Sequence, residues 1–75
     1  MKYLIEYFGS TSCTQCRAIK EELKGLEYID HTDDDQAFTE YDISVLPTLI
    51  CTQDGKEVKR ISGFHTAEQI REWLN

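Results

Sequence analysis

The feature that most constrains the fold of this chain is a pair of cysteines, Cys13 and Cys16, set between two stretches of different periodicity. Residues 2–8 are rich in aromatic and branched side chains, which predicts a strand, and residues 9–12 are small and polar and end it. From residue 13 to residue 24 the apolar positions recur at helical spacing. Two cysteines three residues apart at the start of a helix can supply two ligands of a metal site, form a structural disulfide, or act as a redox pair.

The size, composition and charge of the chain limit the class of protein and the partners that we expect. Its 75 residues are enough for one domain, and we expect residues 1–75 to form a single one. A hydrophobic fraction of 40% with 29% charged residues is typical of a soluble globular protein. The net charge of -6 disfavours nucleic acid and anionic membranes, which both require a basic surface. We expect a cytoplasmic protein, because no apolar run is long enough to cross a bilayer and no signal peptide is recognisable. We also expect a monomer.

The remaining segments alternate between strand and helix signals. "LEYIDH" predicts a second strand, and Thr32 before three aspartates predicts the cap of a second helix. "VLPTLIC" predicts a third strand, opened by Pro47, and "QDGK" carries an Asp-Gly hairpin signal before the strand "EVKRIS". Thr66 and Gln69 form a capping box for a last helix. The order β-α-β-α-β-β-α predicts the α/β class, with a mixed four-stranded sheet and helices on both faces.

The two cysteines are not expected to be equivalent. Residues three apart share a helix face, so their Cα atoms lie within the distance that a disulfide tolerates. Cys13 faces the helix N-terminus, where unpaired amides and the dipole can lower a thiol pKa from about 8.5 towards 7. Cys16 faces the sheet. We therefore expect Cys13 to be the nucleophile and Cys16 the resolving thiol of a thiol–disulfide oxidoreductase.

The other interpretations of the pair are weaker. A closed zinc site needs four ligands, and one C-x-x-C supplies two. Cys51, His31 and His65 are the only soft side chains that remain, and their spacing matches no metal motif. Cys51 is expected to be a buried small apolar residue, with a third redox thiol as the alternative. The two histidines are expected at the surface or at strand ends, and we predict no metal site.

Three segments together resemble the thioredoxin superfamily over nearly the whole chain: "CTQC", "YDISVLPTLI" and "DGKEVKRISGFHTAEQIREWL". The resemblance implies a thioredoxin-like fold in which the bond before Pro47 is cis and lies beside the two cysteines. It implies that Leu46 offers its backbone to an extended substrate, with Thr48 and Gly63 completing the substrate site. It also implies a protein-disulfide reductase that needs no bound cofactor.

Within the superfamily the chain resembles small glutaredoxin-like redoxins that supply electrons to ribonucleotide reductase, with which it shares C-x-Q-C and Ser-Gly-Phe. These draw electrons from a thioredoxin reductase, which is the electron donor we expect. The glutathione pocket of glutaredoxins is poorly matched, since Ser10 or Thr11 replaces its basic residue. A glutathione-dependent glutaredoxin and a non-catalytic binding module remain the alternatives. The substrate and the reduction potential stay open.

Thioredoxins also bury an aspartate beneath the resolving cysteine as its proton acceptor. Counting back from Cys13 places Tyr7 at this position, and one extra loop residue places Glu6 there. Burial would raise the pKa of a carboxylic acid at this site and make it a base for Cys16. Glu6 is therefore a possible proton acceptor, and the choice between the two residues is open.

Overall fold

The computed structural model describes residues 3–75, which form one four-stranded sheet and three helices. The elements are β1 (Leu4–Gly9), α1 (Thr14–Glu22), β2 (Tyr28–Thr32), α2 (Asp35–Glu40), β3 (Thr48–Gln53), β4 (Lys56–Ser62) and α3 (Ala67–Leu74). This order confirms the predicted α/β fold class. The predicted start of the first strand at residue 2 lies outside the described residues. Within residues 3–75, none of the helices combines the length and the apolar content that a membrane span requires.

The sheet has the strand order β2-β1-β3-β4 and mixes parallel with antiparallel pairs. β1 runs parallel to β2 and antiparallel to β3, while β4 pairs antiparallel with β3. As an interior strand, β1 is buried from Ile5 to Gly9. A strand covered on both faces loses the polar–apolar alternation of a half-exposed one, which accounts for its nearly continuous apolar sequence.

Each face of the sheet is covered by helices, so the chain has two apolar clusters. Ile5 and Tyr7 pack with Ile19 of α1 and Ile70 of α3 on one face. Phe8, which points the opposite way from Tyr7, packs with the α2 side chains and Ile50 on the other face. The predicted layer arrangement, with helices on both faces, is therefore confirmed.

Turn and cap residues set the ends of several elements. Asp54 and Gly55 join β3 to β4, and their φ angles of 54° and 78° are those of a two-residue hairpin turn with both residues left-handed. Thr66 and Gln69 cap α3 in both directions, which confirms the predicted capping box. These short polar signals fix where the adjacent strands and helix begin.

Two predicted helix ends are wrong. α1 ends at Glu22 rather than near residue 24, and Gly25 lies in the turn that follows, with a φ of 87°. Thr32 does not cap α2, because it pairs with Gly9 in the parallel ladder and so belongs to β2. Asp34 is the cap instead, and its side chain accepts a hydrogen bond from the Ala37 N–H at 3.2 Å.

Candidate active site

Cys13 lies directly before α1 and is its N-cap residue. Its Sγ accepts a hydrogen bond from the Cys16 N–H, with 3.1 Å between nitrogen and sulfur. The first helical turn, Thr-Gln-Cys-Arg, contains no acidic side chain. Because the unpaired amides and the dipole of a helix favour negative charge at its N-terminus, this position stabilises a thiolate.

Cys16 lies one turn deeper and is fully buried, with 0% of its surface exposed. It packs in the cluster that α1 and α3 form over the sheet, whereas Cys13 is only partly buried and lies at the border of that cluster. The two Cα atoms are 5.2 Å apart and the sulfurs are joined as a disulfide. The pair is therefore a disulfide with one sulfur near the surface and one inside.

The loop that leads into Cys13 is held from two sides through Thr11. The Thr11 hydroxyl donates to an Asp33 carboxylate oxygen at 2.9 Å, and the Arg17 guanidinium donates to the Thr11 carbonyl at 3.0 Å. The Asp33 N–H in turn donates to the Gly9 carbonyl at 3.0 Å. Asp33 was predicted only as part of a helix start, so sequence reasoning missed its contact with the loop, which spans 22 residues of sequence.

The Leu46–Pro47 peptide bond is cis, and Pro47 is buried just before β3. Leu46 packs against the cluster that contains Cys16, and Cys13 packs against the same cluster. Neither the N–H nor the carbonyl of Leu46 pairs with another backbone group within residues 3–75. An extended peptide alongside would therefore find a free donor and a free acceptor at this residue.

Two hydrogen bonds hold the segment around Pro47 in place. The Gly63 N–H donates to the Pro47 carbonyl at 2.8 Å, and Gly63 has a φ of 85°, which favours glycine. The Thr48 hydroxyl donates to the Val45 carbonyl at 2.5 Å. Thr48 is only 2% exposed, so its side chain supports the segment from the protein interior and does not line a surface.

Glu6 lies on the wrong side of the sheet to act as a base for Cys16. It is 6% exposed and its carboxylate contacts His31 Nε2 at 2.9 Å and the Tyr41 hydroxyl at 3.0 Å, among the side chains that face α2. Tyr7 lies beneath Cys16 instead, and its hydroxyl donates a hydrogen bond to the Cys16 carbonyl, with 3.3 Å between the two oxygens. The expectation of a proton acceptor at Glu6 is therefore wrong.

Cys51 and His31 make no hydrogen bond to the pair among the described residues, while His65 lies beside Gly63, with its Nδ1 3.1 Å from the Gly63 carbonyl. Cys51 is fully buried in β3, and burial raises the pKa of its thiol. His31 lies near the end of β2, as expected, but its side chain is only 15% exposed because it packs between Phe8 and Glu6. Among the described residues, no group of three or more His, Cys, Asp or Glu side chains is arranged to hold a metal ion.

Comparison with known proteins agrees with this geometry. A family model described as Thioredoxin matches residues 1–75. The crystal structure of Fasciola hepatica thioredoxin superposes with a TM-score of 0.78 at 28% identity, over 97% of this chain and 78% of that one. Chlamydomonas reinhardtii thioredoxin f2 gives a TM-score of 0.82 at 17% identity, over 97% and 76%. Reduced Schistosoma mansoni thioredoxin pre-protein gives 0.78 at 23% identity, again over 97% and 76%.

The family match covers the whole chain, and the matching fold places a C-x-x-C pair at the start of its first helix and a cis-proline before its third strand. This pair of observations supports thiol–disulfide exchange at Cys13 and Cys16. The chain belongs to the thioredoxin family.

Proposed function

We propose that this chain is a thiol–disulfide oxidoreductase that reduces disulfides in other proteins, with Cys13 as nucleophile and Cys16 as resolving thiol. One observation carries the proposal: a partly exposed sulfur at a helix N-terminus lies next to a fully buried one in the following turn. The first position favours a reactive thiolate, and the second shields its thiol until a mixed disulfide forms nearby.

The reaction takes place in two exchanges. The Cys13 thiolate attacks one sulfur of the substrate disulfide, forms a mixed disulfide, and releases the other substrate sulfur as a thiolate. Cys16 then gives up its proton and attacks Cys13 Sγ, which closes the intramolecular disulfide and releases the second substrate sulfur. Two electrons pass from the dithiol to the substrate, which leaves with two free thiols.

The segment around Pro47 supplies the proposed substrate site. The free backbone groups of Leu46 suit an extended peptide that adds to the chain as a short strand. Val45, which precedes Leu46, is 51% exposed, and Phe64, which follows Gly63, is 43% exposed. Exposed apolar side chains therefore flank the segment. Gly63 presents no side chain towards an approaching peptide. We propose that these residues bind the chain that carries the disulfide.

A thioredoxin reductase is the proposed electron donor, rather than glutathione. Glutathione is anionic, and the Asp33 carboxylate lies 2.9 Å from the Thr11 hydroxyl in the loop that leads into Cys13. This carboxylate offsets the Arg17 guanidinium, which donates to the Thr11 carbonyl at 3.0 Å, so the pair gives the loop no net positive charge with which to hold an anionic ligand. The "CTQC" and "SGF" motifs further favour the redoxins that serve ribonucleotide reductase, which makes that enzyme the first substrate to examine.

Trapping tests the two cysteine roles. In a Cys51→Ala background, Cys16→Ser should retain a partner through a stable mixed disulfide, because no thiol remains to release it. Cys13→Ser, the matched control, should retain none. The proposal fails if neither variant traps a partner and the reduced wild-type protein leaves the disulfides of insulin intact.

Turnover separates the candidate donors. We expect faster reduction of a disulfide substrate with NADPH and thioredoxin reductase than with glutathione and glutathione reductase. The reverse order would identify a glutaredoxin. A Cys13 thiol that resists alkylation near neutral pH would instead favour a non-catalytic binding module.

A further inference from the structure

The hydroxyl of Tyr7 is a buried polar group beneath the resolving cysteine. Tyr7 is 1% exposed and lies in the same cluster as Cys16, Leu49 and Ile70. Its hydroxyl donates to the Cys16 carbonyl at 3.3 Å, across nine residues of sequence. The bond joins the first turn of α1 to β1.

The surroundings of Tyr7 keep it a neutral donor. Burial raises the pKa of the Tyr7 phenol, and the nearby Lys20, with its Nζ 5.6 Å from the ring centroid, lowers it by less. The Lys20 ammonium is itself paired with Asp30 at 2.8 Å. A phenol that keeps its proton can donate to a carbonyl at all physiological pH values, whereas a carboxylate in its place could not.

Gly9 makes room for this hydroxyl. A Cβ placed on Gly9 would overlap the Tyr7 Oη, with the rest of the phenol tip close behind. Gly9 is buried and pairs with Thr32, so its backbone cannot move away without breaking the ladder between β1 and β2. The glycine and the tyrosine therefore form a matched pair, in which the missing side chain of one leaves space for the hydroxyl of the other.

We propose that Tyr7, seated against Gly9, is a positioning residue for Cys16 that fixes the first turn of α1 through the Cys16 carbonyl. Cys16 must reach Cys13 Sγ within the mixed disulfide, and this attack depends on a close approach along the sulfur–sulfur axis. A first turn tied to β1 holds the buried thiol at that distance. In the first exchange Cys13 attacks the substrate, and its sulfur accepts from the Cys16 N–H rather than from Tyr7, so this exchange does not need the Tyr7 bond. This inference rests on the proposed function of the pair.

A small aromatic disulfide, the dimer of thionitrobenzoate, separates the two exchanges. With the reduced Cys51→Ala protein, the first thionitrobenzoate anion is released in a phase whose rate rises with the concentration of the probe. The second is released when Cys16 closes the disulfide, in a phase independent of that concentration. Both phases are followed by absorbance, and urea unfolding of each variant is measured in parallel.

Tyr7→Phe removes only the hydroxyl and should slow the second phase about fivefold, the factor that corresponds to one net hydrogen bond. The first phase should stay within about twofold of the parent. Tyr28→Phe is the matched control, because Tyr28 packs edge-on against Tyr7 with 6.0 Å between ring centroids and belongs to the same face. It should change neither phase.

Gly9→Ala provides a second route to the same result, because the new Cβ displaces the Tyr7 hydroxyl. It should slow the second phase, and combining it with Tyr7→Phe should slow that phase by less than the product of the two single effects. The proposal is overturned if Tyr7→Phe leaves the second phase unchanged, or slows both phases equally as a general loss of structure would. A parent protein that shows no second phase would instead refute the proposed function.

Discussion

Replacing His31 with phenylalanine tests how the buried carboxylate of Glu6 is stabilised inside the sheet. Glu6 Oε1 lies 2.9 Å from His31 Nε2, and Glu6 Oε2 accepts a hydrogen bond from the Tyr41 hydroxyl at 3.0 Å. The His31 ring stacks on Phe8, with 4.7 Å between the centroids and 19° between the planes. Phenylalanine keeps the stacking and removes both ring nitrogens: Nε2, which contacts Glu6, and Nδ1, which lies 3.4 Å from the half-exposed Asp34 carboxylate.

The expected cost follows from burial. The side chains of His31 and Glu6 are only 15% and 8% exposed, so water cannot replace the lost contact. Removing one partner of a buried hydrogen bond costs about 1–3 kcal/mol, and more where the group left behind is charged. We expect about 3 kcal/mol, because Glu6 loses the His31 contact and keeps only the hydrogen bond from Tyr41. A domain of this length has roughly 4–11 kcal/mol of stability in total. The substitution should therefore remove a large share of it.

Urea unfolding followed by the fluorescence of Trp73 measures this cost. With a slope of about 1 kcal/mol per molar urea, as in the smallest domains, the midpoint should fall by about 3 M. A double-mutant cycle with Glu6→Gln isolates the contact between the two side chains. In the Glu6→Gln background, His31→Phe should lower the free energy of unfolding clearly less than in the wild type, because no carboxylate is left unpaired. A cost below about 1 kcal/mol, or one that is equal in both backgrounds, would refute the pairing.

Three further predictions concern other parts of the chain. Burial raises the pKa of Asp30, but hydrogen bonds from Lys20 and Thr32 outweigh it and hold that pKa below the usual value. Asp30 should thus stabilise the fold above pH about 4 and lose this effect in more acidic solution, and Asp30→Asn should lower the unfolding free energy at pH 7 by at most about 1 kcal/mol. Thr66→Ala should cost about 1 kcal/mol in urea unfolding, through loss of the α3 cap. The Cys51 thiol should react with iodoacetamide only as the protein unfolds, since burial raises its pKa and excludes the reagent.

Local sequence predicts the elements whose ends carry turn or cap chemistry. The Asp54–Gly55 pair indicates a hairpin because few residues adopt two successive left-handed conformations, and both do so here. Thr66 and Gln69 indicate the start of α3 because their side chains satisfy each other's backbone donors. The spacing of the C-x-x-C pair likewise predicts its geometry, whereas the cis bond before Pro47 is expected from the resemblance to thioredoxins.

The features that could not be predicted depend on contacts between residues far apart in the sequence. β1 is buried on both faces, so its pattern does not show which side chains point towards Cys16. The choice between Glu6 and Tyr7 depends on His31, which lies 25 residues further on, and on Cys16. Thr32 shows the same limit, because a suitable cap residue was instead taken up by pairing with β1.

The acidity of the Cys13 thiol tests most directly whether its position at the start of α1 makes it reactive. Alkylation of the reduced Cys16→Ser, Cys51→Ala protein by iodoacetamide, measured across pH, gives the pKa of Cys13 alone. We predict a pKa clearly below that of a free cysteine, about 8.5, because the amides and dipole of α1 stabilise the thiolate. A value at or above that of a free cysteine would contradict the central role assigned to this sulfur.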